Sequence, residues 1–370
     1  IPSNIEECWK VMALDASIKM YTFMATCLEN IGIMRFEDFF SMLVRLDYIQ
    51  PFSDENITVP DLIFIGIPVR LYLPKRKSEI PRRAVIYFHG GVYCFGSFKQ
   101  TACDFLNRWT ASTLDSVVLA VDYRLAPQHL FPAAALKFFL QDEALRKYGV
   151  YPTQICISGD SSGGALVAAV TQQIQNDLQI KHKIKAQALL FPHLQIIDFL
   201  LLSHQGNEHG IFLPKGLVLK FVSLLSKDEA IFEAIKRQHM PLESRLLFQF
   251  ASWSTLLPEK YRKGFVYTEP LLGKSRVSLP ALTDIRASPL LANDTQLKNL
   301  PATYILTCQN LLRDDGLMYV SRLQKINVHV NNDHLEDGFH GALSVMAAPF
   351  SLNLSLRIRD LYISWLDKNL

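Results

Sequence analysis

The chain lacks a strong excess of either charge. Among 370 residues, 38 are lysine or arginine and 35 are aspartate or glutamate, leaving a formal net charge of +3. So even a balance gives no electrostatic footprint for nucleic acid. Cysteine is scarce. The six residues Cys8, Cys27, Cys94, Cys103, Cys156 and Cys308 show no CxxC spacing, which speaks against a zinc site. Glycine (17) and proline (18) are too few and too scattered for a collagenous or low-complexity chain. No unbroken run of about 18 apolar residues occurs, so no segment reads as a membrane span. The tract from Gly341 to Leu356 is interrupted by Pro349 and Asn353. What is present is a hydrophobic fraction of 49% beside 20% charged residues, which excludes disorder and suffices for one large core.

The first fifty residues read as helix. Ser3 and Glu6 have the spacing of a capping box, and Ile5, Trp9, Met12, Ala16, Phe23 and Cys27 fall mostly on one helical face. A second helix is predicted over 35–46, before Pro51 and the polar residues 53–56. From Leu62 the pattern changes, and 62–65 with 69–73 predict a hairpin around Gly66 and Pro68. Short apolar runs at 84–88, 117–121, 155–157, 188–191 and 304–306 then alternate with helical stretches near 101–114, 132–147, 163–177, 315–325 and 355–368. A last strand is expected near 327–330. This alternation predicts an α/β fold, a mostly parallel sheet with helices on both faces. Residues 198–280 show no strand rhythm and predict a helical insertion. The expected division is an N-terminal helical cap segment at 1–55, core at 56–197, a cap insertion at 198–280 and core again at 281–370.

Three sequons begin at Asn56, Asn293 and Asn353, which makes these asparagines glycosylation candidates in a secretory compartment. The chain begins at Ile1 rather than Met, and a signal or anchor segment is expected upstream of it.

Gly159-Asp160-Ser161-Ser162-Gly163 matches G-x-S-x-G between a predicted strand and a predicted helix. That context is the one a nucleophile elbow needs, with Ser161 at the tip of a strained turn. His89-Gly90-Gly91 closes the strand 84–88, and its small residues let backbone N–H groups face a developing oxyanion. His340 lies beyond the last strand, where the order Ser…Asp…His needs its base. His334 is the local competitor.

Taken with further stretches, these motifs resemble the hormone-sensitive-lipase branch of the α/β-hydrolases, and the arylacetamide deacetylase family within it. The matching stretches are His89–Gly91, Asp122–Pro127, Phe131–Ala133, Gly159–Gly164, Leu312–Gly316 and Glu336–Gly341. The resemblance implies an α/β-hydrolase fold with a helical cap. It also implies esterase or amide-deacetylase activity on small apolar acyl esters, amides or lipids, through an acyl-enzyme on Ser161 and without a cofactor or metal. Membrane anchoring upstream of Ile1, or secretion, is implied with it, and so is a place in the endoplasmic reticulum lumen. The oxyanion hole would use amides among Gly90, Gly91, Val92 and Ser162. A disulfide between Cys94 and Cys308 is a further implication.

Two departures stand out. The third glycine of the family's His-Gly-Gly-Gly is Val92 here. The acid position, normally Asp, is Asn310, and one residue of the preceding segment is missing. An Asn cannot offer a charge to the imidazolium, and it can favour the wrong tautomer. Asp314 or Asp315 could take over if the loop shifts, although both should open a helix. The competing reading is therefore a weak or inactive hydrolase fold that binds a small apolar ligand.

Overall fold

The computed structural model describes residues 4–123, 139–175, 177–180, 183–226, 233, 237, 239–266, 271–273, 283–347 and 351–370. The motif residues 124–127 and 131–133, and part of the predicted helix 132–147, lie outside them. Helix α1 (Cys8–Asn30) and α2 (Phe36–Leu46) precede the sheet. Strands β1 (Ile57–Thr58), β2 (Asp61–Phe64), β3 (Ile67–Pro74) and β4 (Arg82–Phe88) lead to α3 (Thr101–Leu114) and β5 (Val117–Val121). Next come β6 (Val150–Asp160), α4 (Ser162–Ile174), β7 (Ile184–Leu190) and α5 (Lys215–Ser226). A small ladder pairs β8 (His239–Met240) with β9 (Leu271–Leu272), followed by β10 (Ala302–Cys308), α6 (Arg313–Lys325), β11 (Val330–Leu335) and α7 (Asn353–Asn369).

The main sheet has nine strands in the order β1-β3-β5-β4-β6-β7-β10-β11, with β2 also on β3. From β5 to β11 all pairings are parallel, and the β1–β3, β2–β3 and β3–β5 pairings are antiparallel. The central strands are covered on both faces. Val117–Val121 is buried throughout, which is why these segments read as continuous apolar runs. Arg70 on β3 is fully buried and held by Asp61 at 2.7 Å, Asp104 of α3 at 3.0 Å and the Ile49 carbonyl at 3.2 Å. This network ties the segment after α2 to the sheet.

Three local expectations are corrected. The last strand runs over 330–335 rather than 327–330. It is a sheet edge of polar residues, and its sequence has no apolar rhythm to mark it. Helix α1 starts at Cys8 behind a left-handed Glu7 (φ 52°), so Glu6 is outside the helix, and Ser3 lies outside the described residues. The face carrying Trp9, Met12 and Phe23 points outward, and α1 packs inward through Val11, Asp15 and Ala25. By length and composition alone α1 could cross a membrane; Lys10, Asp15 and Lys19 conceal this from a search for unbroken apolar runs.

Helix α2 has acidic Glu37 and Asp38 in its first turn and Arg45 in its last, matching the helix dipole. Its buried Phe36, Phe39 and Phe40 meet Phe221 and Leu217 of α5, with Phe40 and Phe221 ring centroids 5.9 Å apart. Together α1, α2 and α5 roof the C-terminal ends of the parallel strands.

Candidate active site

The sharp turn from β6 into α4 exists because nothing larger than glycine fits around it. A Cβ on Gly159 would lie 2.6 Å from the Phe88 carbonyl oxygen, and one on Gly163 would lie 2.1 Å from it. Ser161 itself takes φ 54° and ψ −120°, a conformation that L-residues disfavour. Its amide donates to the Leu190 carbonyl at 2.8 Å, and its carbonyl accepts from Ala165 at 3.1 Å. The hydroxyl is thereby aimed away from the sheet at the start of a 13-residue helix.

His340, in the loop after β11, places Nε2 3.0 Å from Ser161 Oγ. Gly341 (φ 82°) makes the turn beyond it, and Gly338 lets the loop cross Cys308, whose Sγ would be 2.6 Å from an added Cβ. Burial, with a smaller contribution from neighbouring His193, lowers the His340 pKa to about 4. The ring is therefore neutral near pH 7. His334 is elsewhere, its Nδ1 2.9 Å from Thr307 Oγ1 on the sheet edge.

The acid position is the incomplete part. Asn310 is buried, and its Oδ1 accepts the Leu312 amide at 2.7 Å. Neither Asn310 Nδ2 nor His340 Nδ1 has a hydrogen-bond partner among the described residues. Asp314 accepts the Ser203 amide at 2.7 Å and pairs with Arg313. Asp315 accepts the Leu194 amide at 2.9 Å and the Gln195 side chain at 3.0 Å, and burial pushes its pKa up to about 7. Both carboxylates hold the 194–203 segment to α6; neither bonds to His340.

The turn after β4 also departs from expectation. Gly90 is corrected as an oxyanion donor, because its amide is spent on Asp160 at 2.9 Å. The same carboxylate takes the Tyr87 hydroxyl at 2.7 Å. Among the described residues no acceptor meets the amides of Gly91, Val92 and Ser162. Gly91 (φ 127°) lies so close to Phe95 that a Cβ would be 1.9 Å from its carbonyl oxygen. Val92 and Tyr93 follow at φ 52° and 62°, left-handed values that are costly for a β-branched residue.

The chain matches the alpha/beta hydrolase fold family over residues 85–239 and 249–344. It is 67% identical to human arylacetamide deacetylase-like 2, covering 100% of this chain and 94% of that protein. It is 46% identical to mouse arylacetamide deacetylase, with 100% and 95% covered. The chain belongs to the arylacetamide deacetylase family. Bovine neutral cholesterol ester hydrolase 1 is a more distant relative, 36% identical over 100% of this chain and 95% of its own length. Esterases of Rhizomucor miehei share the fold at a TM-score of 0.65, with 19% identity and 90% of each chain covered. By family and fold the chain is a carboxylic ester hydrolase.

Within this family frame, the cavity over Ser161 holds about 370 Å³. The serine, His340 and the Gly91–Val92 turn form its floor. Ile18 and Tyr21 of α1, Phe40 and Leu43 of α2, and Leu217 and Phe221 of α5 form its walls. Sequence reading did not single out these wall residues, since apolar residues on a helix look the same whether they face a core or a cavity. Asp160, the strut between elbow and oxyanion turn, was visible only as the x of the motif.

The disulfide implied by the resemblance is corrected: Cys94 and Cys308 are both free and buried. Cys94 packs against the phenylalanines of α2 and α5, and Cys308 ends β10 under Gly338. Asn56, Asn293 and Asn353 are all exposed, and the Asn293 side chain caps the helical turn after it by accepting the Gln296 amide at 3.0 Å.

Proposed function

We propose that the chain is a slow serine esterase working with a Ser161–His340 dyad. The observation that carries this reading is the 3.0 Å contact between Ser161 Oγ and a neutral His340, opening into an apolar cavity. Ser161 attacks the acyl carbon while Nε2 of His340 takes its proton. The carbonyl oxygen becomes an oxyanion held by the amides of Gly91, Val92 and Ser162, and the N-terminus of α4 favours that charge. The proton on Nε2 then passes to the leaving group, and water repeats the sequence on the acyl-enzyme.

The reaction is slow because, among the described residues, no group accepts a hydrogen bond from Nδ1–H of His340. Asn310 Oδ1 already accepts the Leu312 amide, and an NH₂ turned toward Nδ1 would donate and place the proton on Nε2, the nitrogen that must be bare. Loss of the carboxylate in a serine protease costs roughly 10⁴ in kcat, while the oxyanion hole and binding keep a residual advantage over water. Esters with good leaving groups are the favoured substrates; amides need His340 as a strong general acid and suffer most. The cavity's aromatic and aliphatic walls suit small apolar acyl groups, in keeping with relatives named deacetylase and cholesterol ester hydrolase.

The orphaned Nδ1 of His340 favours a second reading, binding of an apolar ligand without turnover. Hydrolysis of p-nitrophenyl acetate, compared between the protein and Ser161→Ala, separates the two. Turnover that falls at least about tenfold in the variant supports the esterase, since removing the serine from a site already short of its acid costs on the order of 10². Absence of turnover, together with no labelling of Ser161 by an organophosphonate, leaves the binding reading.

A further inference from the structure

Two buried polar atoms at the acid end of the site lack a partner. Asn310 is 5% exposed and His340 8%, and both Asn310 Nδ2 and His340 Nδ1 are unbonded among the described residues. Buried donors left without an acceptor are costly, so such a pair marks a place where something binds. The two loops that carry them are held side by side. The Gln309 and Gly338 amides both donate to the Leu335 carbonyl, each at 3.1 Å. Gly338 lies so close to Cys308 that an added Cβ would be 2.6 Å from its Sγ. Asn310 and His340 each stand two positions beyond that Cys308–Gly338 contact. The Leu312 amide, 2.7 Å from Oδ1, fixes the orientation of the Asn310 side chain. Nε2 of His340 faces Ser161, so Nδ1 is on the side of the ring away from the nucleophile. Exposed Glu336 and half-buried Gln309 place this gap directly under the surface, within reach of a small solute.

We propose that a small monocarboxylate, the size of formate or acetate, binds between Asn310 Nδ2 and His340 Nδ1 and supplies the charge that Asn310 lacks. Its binding stands on these two atoms alone; its effect on rate rests on the esterase reading above. When Nε2 is bare to receive the serine proton, Nδ1 carries a hydrogen, and the Asn310 amide presents another. The group that satisfies two donors is an acceptor. Water would accept from both, but it brings no charge and donates to Nδ1 as readily, which leaves the proton on the wrong nitrogen. A carboxylate only accepts. It holds the proton on Nδ1 and stabilises the imidazolium while Nε2 takes the proton of Ser161, and it stays ionised throughout. No bond of the anion is made or broken, so it is not consumed. The protein's own nearby carboxylates are engaged elsewhere. Asp314 pairs with Arg313 at 2.8 Å, Glu336 with Lys260 at 3.7 Å, and Asp337 with Arg357. Asp315 holds the Leu194 amide at 2.9 Å. The close crossing of Cys308 and Gly338 restricts the gap to a short, unbranched acid. Hydrolysis of a short-acyl ester releases such an anion, so the product would speed its own formation.

The test is the initial rate of p-nitrophenyl acetate hydrolysis in sodium formate, against sodium chloride at the same pH and ionic strength. With formate, kcat should rise at least about tenfold and saturate, within the roughly 10⁴ that a built-in carboxylate is worth. Acetate should act likewise, and the branched pivalate should not. In Asn310→Asp the carboxylate is already in place, so formate should add nothing. Binding is read separately from the broadening of the formate proton resonance by the chain, which Asn310→Asp should relieve. Progress curves on p-nitrophenyl acetate should accelerate as acetate accumulates, and those on p-nitrophenyl pivalate should not. Curves that stay straight while added formate accelerates still establish the site, and assign its anion to the surrounding solution. A chain that turns over ester with no gain from formate above the chloride control overturns the proposal. So does a gain that never saturates, or one equally large in Asn310→Asp. If the chain broadens the formate resonance and cleaves no ester at any concentration, the esterase reading fails and the anion site stands.

Discussion

At the end of β6, the amide, carbonyl and hydroxyl of Ser161 each have a partner, on Leu190, Ala165 and His340. At the end of β10, two strands away, Asn310 accepts from Leu312 and its NH₂ has no partner among the described residues. The elbow is fixed by contacts through glycines between neighbouring strands, and any loss there would collide with the sheet itself. The acid depends on one side chain at the tip of a loop. That loop can change length while β10 and β11 keep their register, Cys308 against Leu335. The nucleophile end is thus bound into the fold, and the acid end is free to be lost without unfolding anything.

The sharpest way to test this contrast is to rebuild the weak end. Asn310→Asp should raise kcat on p-nitrophenyl acetate at least about tenfold, with full recovery nearer 10⁴ if the carboxylate reaches Nδ1. Amide substrates should gain more than esters. If kcat is unchanged while Asp314→Ala or Asp315→Ala abolishes turnover, the acid lies in α6 and the contrast collapses.

A smaller effect should show in the pH profile. The neutral form of His340 is the base, so kcat/KM rises with pH through its pKa and then levels. Burial holds that pKa at about 4, so the plateau should reach well below the inflection of an ordinary histidine at about 6.5. A carboxylate at position 310 favours the imidazolium, and Asn310→Asp should move the inflection upward. An inflection near 6.5 in the unaltered protein would show that His340 is more hydrated than the cavity geometry implies.

The smallest effect is expected at the strong end. Val92→Gly relieves a left-handed valine, a gain of about 1–2 kcal/mol. It also loses apolar packing and adds glycine's entropy of about 0.5–1 kcal/mol. The melting midpoint should therefore move little in either direction, while kcat rises modestly as the Val92 amide turns more freely toward the oxyanion. A large loss of stability would mean that the Val92 side chain is an anchor of the cap.

Much of this was legible in the residues. The continuous apolar runs marked β4, β5, β6, β7 and β10, because strands buried on both faces carry no polar alternation. Ser161 and His340 could be named because a motif between strand and helix fixes direction as well as identity. What escaped was decided by non-local contact. Val330–Leu335 pairs as a polar edge, the Gly90 amide is claimed by a residue 70 positions away, and the outward face of α1 depends on which side meets the cap. The pairing of Cys94 with Cys308 came from resemblance, and the free thiols sit in separate apolar clusters. The Asn310 substitution was plain from the sequence, but the Leu312 amide that fixes its orientation was not.

The buried Arg70 has a consequence for the order in which the chain matures. Its partners Asp61, Ile49 and Asp104 lie 9, 21 and 34 residues from it. This knot can therefore tighten while the ribosome is still making the middle of the protein. Ser161 and His340 are 179 residues apart and can meet only once nearly the whole chain has emerged. Synthesis from the N-terminus would settle the first third before any catalytic geometry exists. A nascent chain with a poor acid loop passes every early checkpoint that a fully active one would.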